Sequence, residues 1–181
     1  MMPKYALIII VVSIMWSCNQ QPKTAIHLPS KNYHYTELDL ASLHRHEKVY
    51  IPIYSDIYHS SDARRFLLTA TLSIRNTSLR DSMYVAEVDY YDSQGNLNRQ
   101  YLQQTILLKP LESVEFVVEH KEDEGGAGAN FIVHWGTNSA DIQPIIQAVM
   151  IGTASQQGIS FLTEGLVIEK YQKQDSSAIL D

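Results

Sequence analysis

Read as a pattern of apolar and polar positions, the chain changes character twice. From Tyr5 to Met15 it runs YALIIIVVSIM without a charge, from residue 19 to about 47 it is polar and interrupted by Pro22 and Pro29, and from Val49 onward apolar residues recur at every second position. Period two is the mark of a strand with one buried face. Val49, Ile51 and Ile53 alternate with Tyr50, Pro52 and Tyr54. Phe66, Leu68, Ala70, Leu72 and Ile74 alternate with Leu67, Thr69, Thr71, Ser73 and Arg75, and Asn76-Thr77-Ser78 then supplies a turn. Further strands are predicted at 83–91, 100–108, 114–118, 131–135, 145–151 and 159–168. Those at 83–91 and 100–108 are joined through Asp92-Ser93-Gln94-Gly95-Asn96, a hairpin connection in which Gly95 takes positive φ.

About eight short strands at hairpin spacing, with no long helical pattern, predict an all-β fold: an antiparallel β-sandwich, immunoglobulin-like in the broad sense. Pro52 cannot donate a ladder hydrogen bond, so the first strand is expected at a sheet edge or a bulge. The sandwich is expected over 48–170, with a frayed polar tail at 171–181. Residues 18–47 read as a tether whose root-mean-square span as a flexible coil is about 30 Å. Within it Thr36-Glu37-Leu38-Asp39 can cap a short helix carrying Leu40 and Leu43.

The apolar leader, preceded by Lys4, has the layout of a signal peptide over residues 1–17. A helix of about 11 residues spans roughly 17 Å against about 30 Å of hydrocarbon, which disfavours a permanent span. Met15-Trp16-Ser17-Cys18 resembles the lipobox of bacterial lipoproteins, with Trp16 standing where a small or hydroxyl residue is usual. The resemblance implies that the Cys18 thiol becomes a diacylglyceryl thioether and that cleavage before it frees an amine for acylation. With about 0.8 kcal/mol per buried methylene, two or more chains anchor a protein stably. Asn19-Gln20-Gln21 lacks an Asp after the lipidated residue, which by resemblance to known sorting rules implies the outer membrane, facing the periplasm.

Cys18 is the only cysteine, so no disulfide can form and the core alone must hold the domain. Removing the leader takes away one cation, Lys4, and no acid, moving the net charge from −6 to −7. That balance argues against nucleic acid as a partner.

Candidate chemistry is sparse. Gly125-Gly126-Ala127-Gly128-Ala129-Asn130 can turn backbone N–H groups toward an anion, although it lacks a P-loop ending and leads into a strand; the plainer reading is a loop needing close backbone packing. His44-Arg45-His46-Glu47 offers two imidazoles, with His44 and His46 on one strand face, and the Glu47 carboxylate; with no further ligand identifiable by spacing it reads more simply as a solvated segment. His59-Ser60-Ser61-Asp62 holds the residue types of a hydrolase triad but as loop neighbours, which reads as a polar turn. Tyr50 and Tyr54, with Tyr58 beyond, could stack on sugar rings or grip a protein, or could be ordinary sheet pairs. Asp89, Asp92 and Asn96 depart from the EF-hand pattern and read as a hairpin.

The phrases VYIPIYSDIYH (49–59), RRFLLTATLSIRNTS (64–78), VDYYDSQGNL (88–97), LKPLESVEFVVE (108–119), GGAGANFIVHW (125–135) and IIQAVMIGTASQQGISF (145–161) together resemble an uncharacterised family of bacterial envelope lipoproteins, a domain of unknown function. The resemblance covers about residues 48–168 and brings no activity, cofactor or catalytic residue with it. The expectation is therefore a lipid-anchored, non-catalytic binding or structural module, held at the membrane and presenting a sandwich to an envelope protein or glycan. The alternative is a small-anion or metal-dependent binding protein or enzyme using the Gly-rich loop or His44, His46, His59 and Glu47.

Overall fold

A computed structural model describes residues 32–119, 125–153 and 158–173; the leader, Cys18, most of the tether and the end of the tail lie outside the described residues. The described residues hold thirteen strands: β1 (His34–Thr36), β2 (Arg45–Pro52), β3 (Asp56–His59), β4 (Ser61–Leu67), β5 (Thr69–Arg75), β6 (Met83–Tyr91), β7 (Leu97–Gln100), β8 (Thr105–Leu108), β9 (Ser113–Val118), β10 (Asn130–Thr137), β11 (Ile145–Gly152), β12 (Ile159–Glu164) and β13 (Leu166–Gln172). The larger sheet has the order β1-β8-β6-β10-β2-β13, with β7 also beside β6; the smaller has β12-β11-β5-β9, and β3 and β4 form a separate hairpin. Every pairing is antiparallel, and the result is the predicted sandwich with more and shorter strands than the expected eight.

The alternation does what period two requires. Val49 and Ile51 of β2, Val85 and Val88 of β6 and Phe131, Val133 and Trp135 of β10 face Ala70, Leu72 and Ile74 of β5, Phe116 and Val118 of β9 and Ala148 and Met150 of β11 in one buried cluster. Each large apolar side chain buried there contributes about 1.5–3 kcal/mol.

The extra strands have local causes. The expected strand at 100–108 is interrupted at Tyr101, whose hydroxyl crosses the sandwich to donate to the Val117 carbonyl at 2.8 Å. The run then resumes as β8 along the first residues of β6. The expected strand at 159–168 divides at Gly165, where the chain leaves the smaller sheet as β12 and joins the larger as β13. A Cβ there would lie 2.5 Å from Val49 Cγ1 and 3.1 Å from the Ile146 carbonyl oxygen, so a side chain at this crossing would push into the core.

Pro52 is not on an edge strand. It is the last residue of β2, opposite Asn130, beyond the point where pairing with β13 ends at Tyr50, so its missing N–H costs no ladder bond on that side. The folded unit also begins before residue 48. β1 pairs with β8, and a 3-10 turn over Leu40–Ser42 is capped by Asp39, whose side chain accepts from the Ala41 N–H. The expected short helix is thus a single 3-10 turn capped by Asp39, with Thr36 in β1 and Leu43 just beyond the turn; Leu40 and Leu43 are buried, and β2 starts at Arg45. At the other end β13 reaches Gln172, and the Lys173 N–H donates to the His44 carbonyl at 2.8 Å.

Strand parity has one costly consequence: Arg45 and Glu47 share the inward face of β2 with Val49 and Ile51 and are only 5% and 3% exposed. Arg45 Nε donates to Glu47 Oε1 at 3.0 Å, and Nη2 lies 2.9 Å from the same oxygen. Nη1 donates to the Ile142 carbonyl at 3.2 Å, and the guanidinium lies 5.1 Å from the Trp135 ring centre. Lys170 of β13 adds a second cation 3.5 Å from Glu47 Oε1. Removing one member of a buried pair strands the other, so Arg45→Ala is expected to destabilise the fold by about 3–5 kcal/mol in urea unfolding, whereas Arg45→Met combined with Glu47→Leu should recover most of that loss.

Candidate functional site

The outward face of the larger sheet carries the densest group of functional side chains. In register across four strands stand Glu87 of β6, His134 of β10, Lys48 of β2 and Glu169 of β13; one row along, His46 lies between Gly136 and Tyr171. A shallow depression of about 310 Å³ is lined by His46, Lys48, His134, Glu169, Lys170 and Tyr171.

Two backbone irregularities shape this face. Pairing of β6 with β10 slips between His134 and Trp135, so Ala86 and Glu87 both point away from the core, and pairing of β13 with β2 slips at Ile168. Such bulges re-aim side chains and increase local twist. Opposite His46, Gly136 presents no side chain; a Cβ there would lie 3.1 Å from His46 Cβ and 2.8 Å from Leu43 Cδ1. The His46 ring is turned toward His134, with its Nδ1 3.1 Å from His134 Nε2. Tyr171 stacks on the other side of His46 with ring centres 4.8 Å apart. His134 Nδ1 faces the Glu87 carboxylate at 3.8 Å. Burial pushes the His134 imidazole below its ordinary pKa, only partly opposed by Glu87, with His46 and Lys48 reinforcing the shift. Asp89, farther along β6, is raised chiefly by burial. Among the described residues no three His, Cys, Asp or Glu side chains are grouped to hold a metal ion.

The residues singled out in the sequence are scattered. Cys18 lies outside the described residues. His44 is not with His46 on β2: it precedes the strand, where its N–H donates to Asn138 Oδ1 at 3.1 Å. Glu47 faces the core. His59 and Ser60 sit at the exposed tip of the β3–β4 hairpin, with Ser60 at a φ of 63°, so the four-residue run is a turn. Tyr50, Tyr54 and Tyr58 do not make one stripe. Tyr50 is half-buried on the outward face between Ile132 and Leu166, Tyr54 packs edge-on against Phe161, and Tyr58 is exposed beneath the Arg65 guanidinium.

The Gly-rich loop turns most of its polarity inward. The Gly125 carbonyl accepts from the N–H and hydroxyl of Ser93 at 2.9 and 2.8 Å, and the Gly126 carbonyl accepts from the N–H and hydroxyl of Ser55 at 3.2 and 3.1 Å. The Gly128 N–H donates to Ser93 Oγ at 2.8 Å. Gly126 has a φ of +77°, and a Cβ on Gly125 would run into the Tyr90 hydroxyl. Asn130 opens β10 between Pro52 and Tyr91. The glycines therefore serve close packing between three chain segments, and beside them Arg65 grips the fully buried Asp56 carboxylate through Nε at 2.9 Å and Nη2 at 2.8 Å.

The hairpin reading of 92–96 is borne out. Asp92 accepts from the Gln94 and Asn96 N–H groups at 2.8 Å each and from Asn96 Nδ2 at 2.9 Å, and Gly95 has a φ of +83°.

Set beside known proteins, residues 46–168 match DUF3124, a family described as a protein of unknown function. No curated protein matches the chain. A solved structure, the crystal structure of Thermotoga maritima 1070, is 12% identical, with 66% of this chain and 92% of that chain covered and a TM-score of 0.38, too distant a likeness to carry an argument.

Two outcomes check this geometry. Gly125→Ala is expected to lower stability by about 1–3 kcal/mol in thermal unfolding, the usual cost of overpacking. The Asn96 side-chain hydrogen bond is the main cause holding the Asp92 carboxyl below its ordinary value of 3.8, so its contribution is complete above that pH and fades as pH falls through the lowered value. In acid unfolding, Asp92→Asn should consequently flatten the loss of stability below the ordinary carboxylate range; an unchanged profile would mean that Asp92 does not hold the turn as an anion.

Proposed function

Because the chain belongs to DUF3124, a family of unknown function, its role has to be read from its own residues, and we propose that it is a lipid-anchored, non-catalytic binding module of the cell envelope. The observation that carries the reading is the strip at the start of β13. Leu166, Val167 and Ile168 are consecutive, and are 67%, 45% and 50% exposed on a strand that pairs with β2 on one side only. Three adjacent apolar side chains on an open sheet edge are a liability in a protein with no partner, and the usual remedies are charge, a bulge or a cover. This strand has a bulge at Ile168 and charge from Glu169 onward, and ahead of the bulge Leu166 and Val167 stay uncovered among the described residues.

The occupant that suits such an edge is an extended segment of another envelope protein. Its backbone would continue the sheet while its apolar side chains meet Leu166 and Ile168. Ser60 Oγ does lie 3.5 Å from His59 Nε2, but at the exposed tip of a turn, a setting that favours binding over catalysis. The signal-peptide layout and the Cys18 lipobox support the anchor, and the residues after Cys18 favour the outer membrane, facing the periplasm.

Mass spectrometry of the mature N-terminus should find diacylglyceryl-modified Cys18, and an unmodified peptide containing residues 1–17 would refute the anchor. For the docking edge, cross-linking in detergent-solubilised envelope should yield one defined adduct that disappears in Leu166→Glu/Ile168→Lys without a change in unfolding temperature. A clean monomer, or an adduct indifferent to that double substitution, would refute the binding reading.

A further inference from the structure

We infer that His46 and His134 form a two-nitrogen chelate for a single divalent cation of the copper(II) or nickel(II) class. The two ring nitrogens that face each other, His46 Nδ1 and His134 Nε2, are 3.1 Å apart. At metal–nitrogen distances of about 2.1 Å that separation corresponds to a coordination angle of about 95°. Adjacent positions of a square or tetragonal site have that angle, whereas a tetrahedral zinc site opens it wider. Imidazole nitrogen in tetragonal geometry selects copper(II) first and nickel(II) next.

The surroundings support the pair as ligands. β2 lies between β10 and β13, and β10 lies between β6 and β2, so both histidines stand on backbones pinned from two sides and project from the same face of the sheet. The second nitrogen of His134 faces Glu87, the carboxylate–imidazole arrangement that orients metal-bound histidines and leaves Nε2 as the donor. Tyr171 stacked on His46 restricts that ring in the same way. Both lysines at the rim are already held by carboxylates, Lys48 by Glu169 at 3.7 Å and Lys170 by Glu47 at 3.5 Å. The depression in front of the pair leaves room for the waters that complete the coordination sphere.

In the metal-free protein a 3.1 Å contact between two neutral imidazoles is a hydrogen bond carrying one proton. On binding, that proton moves to the outer nitrogen of its own ring by exchange with solvent, both rings remain neutral, and the ion gives up two waters for two nitrogens. No electron is transferred. The site is separate from the apolar strip at the start of β13, so either can fail alone.

The test is copper(II) titration of the full chain, purified without a histidine tag, followed by electron paramagnetic resonance. The expected result is one ion per chain with an axial spectrum showing two equatorial nitrogens. His46→Asn and His134→Gln should each abolish that signal with the circular dichroism unchanged, and Glu87→Gln should weaken binding about tenfold. No stoichiometric binding, or binding that survives both histidine substitutions at undiminished affinity, would overturn the assignment. Should one histidine variant lose its fold, the other decides.

Discussion

A carboxylate inside the sandwich, Glu47, sets the terms for much of what surrounds it. The parity of β2 leaves it no alternative: with Val49 and Ile51 facing the core, residues 45 and 47 must face it too. An unpaired carboxylate there would cost several kcal/mol, so Arg45 lies along the same strand against it, the Ile142 carbonyl takes another guanidinium N–H, Trp135 offers its ring face, and Lys170 reaches in from β13. Three other chain segments are thereby tied to one end of β2. The pair is a poor source of net stability by comparison with an apolar replacement, and its effect is to make any other register of β2 against its neighbours intolerable.

The same parity, read on the opposite face, generates the outward platform. If 45 and 47 point in, then His46 and Lys48 point out, and the register with β10 brings His134 beside them. The bulge at Ala86 turns Glu87 to that face. The buried ion pair Arg45–Glu47 and the half-buried His46 are thus alternate residues of one strand.

Much of the fold was legible because burial on one face writes itself into the sequence as alternation. β2, β5, β9, β10 and β11 are visible for that reason, and so is the turn at Asp92 to Asn96. The β3–β4 hairpin was not, because most of β4 is exposed on both faces and its sequence SDARRFL carries no period. β13 is exposed throughout, and its start was hidden by running on from β12 across Gly165. The outward direction of His134 could be read from Phe131, Val133 and Trp135. Its neighbour could not, since His46 is 88 residues away and strand order leaves no mark on either segment. One signal was present and unused: Ala86-Glu87 between Val85 and Val88 breaks the period by one residue, which is how a bulge is spelled.

The order of strands also gives the domain a direction. β1 and β13 end the main path of the larger sheet, with β7 a further edge beside β6, and β1 is tied to β8 by three residue pairs, His34 with Leu107, Tyr35 with Ile106 and Thr36 with Thr105. The ladder of β10 with β2 has eight pairs by comparison, so a load applied through the residues before β1 is expected to open the β1–β8 ladder before it reaches β10, β2 and the paired charges beneath them.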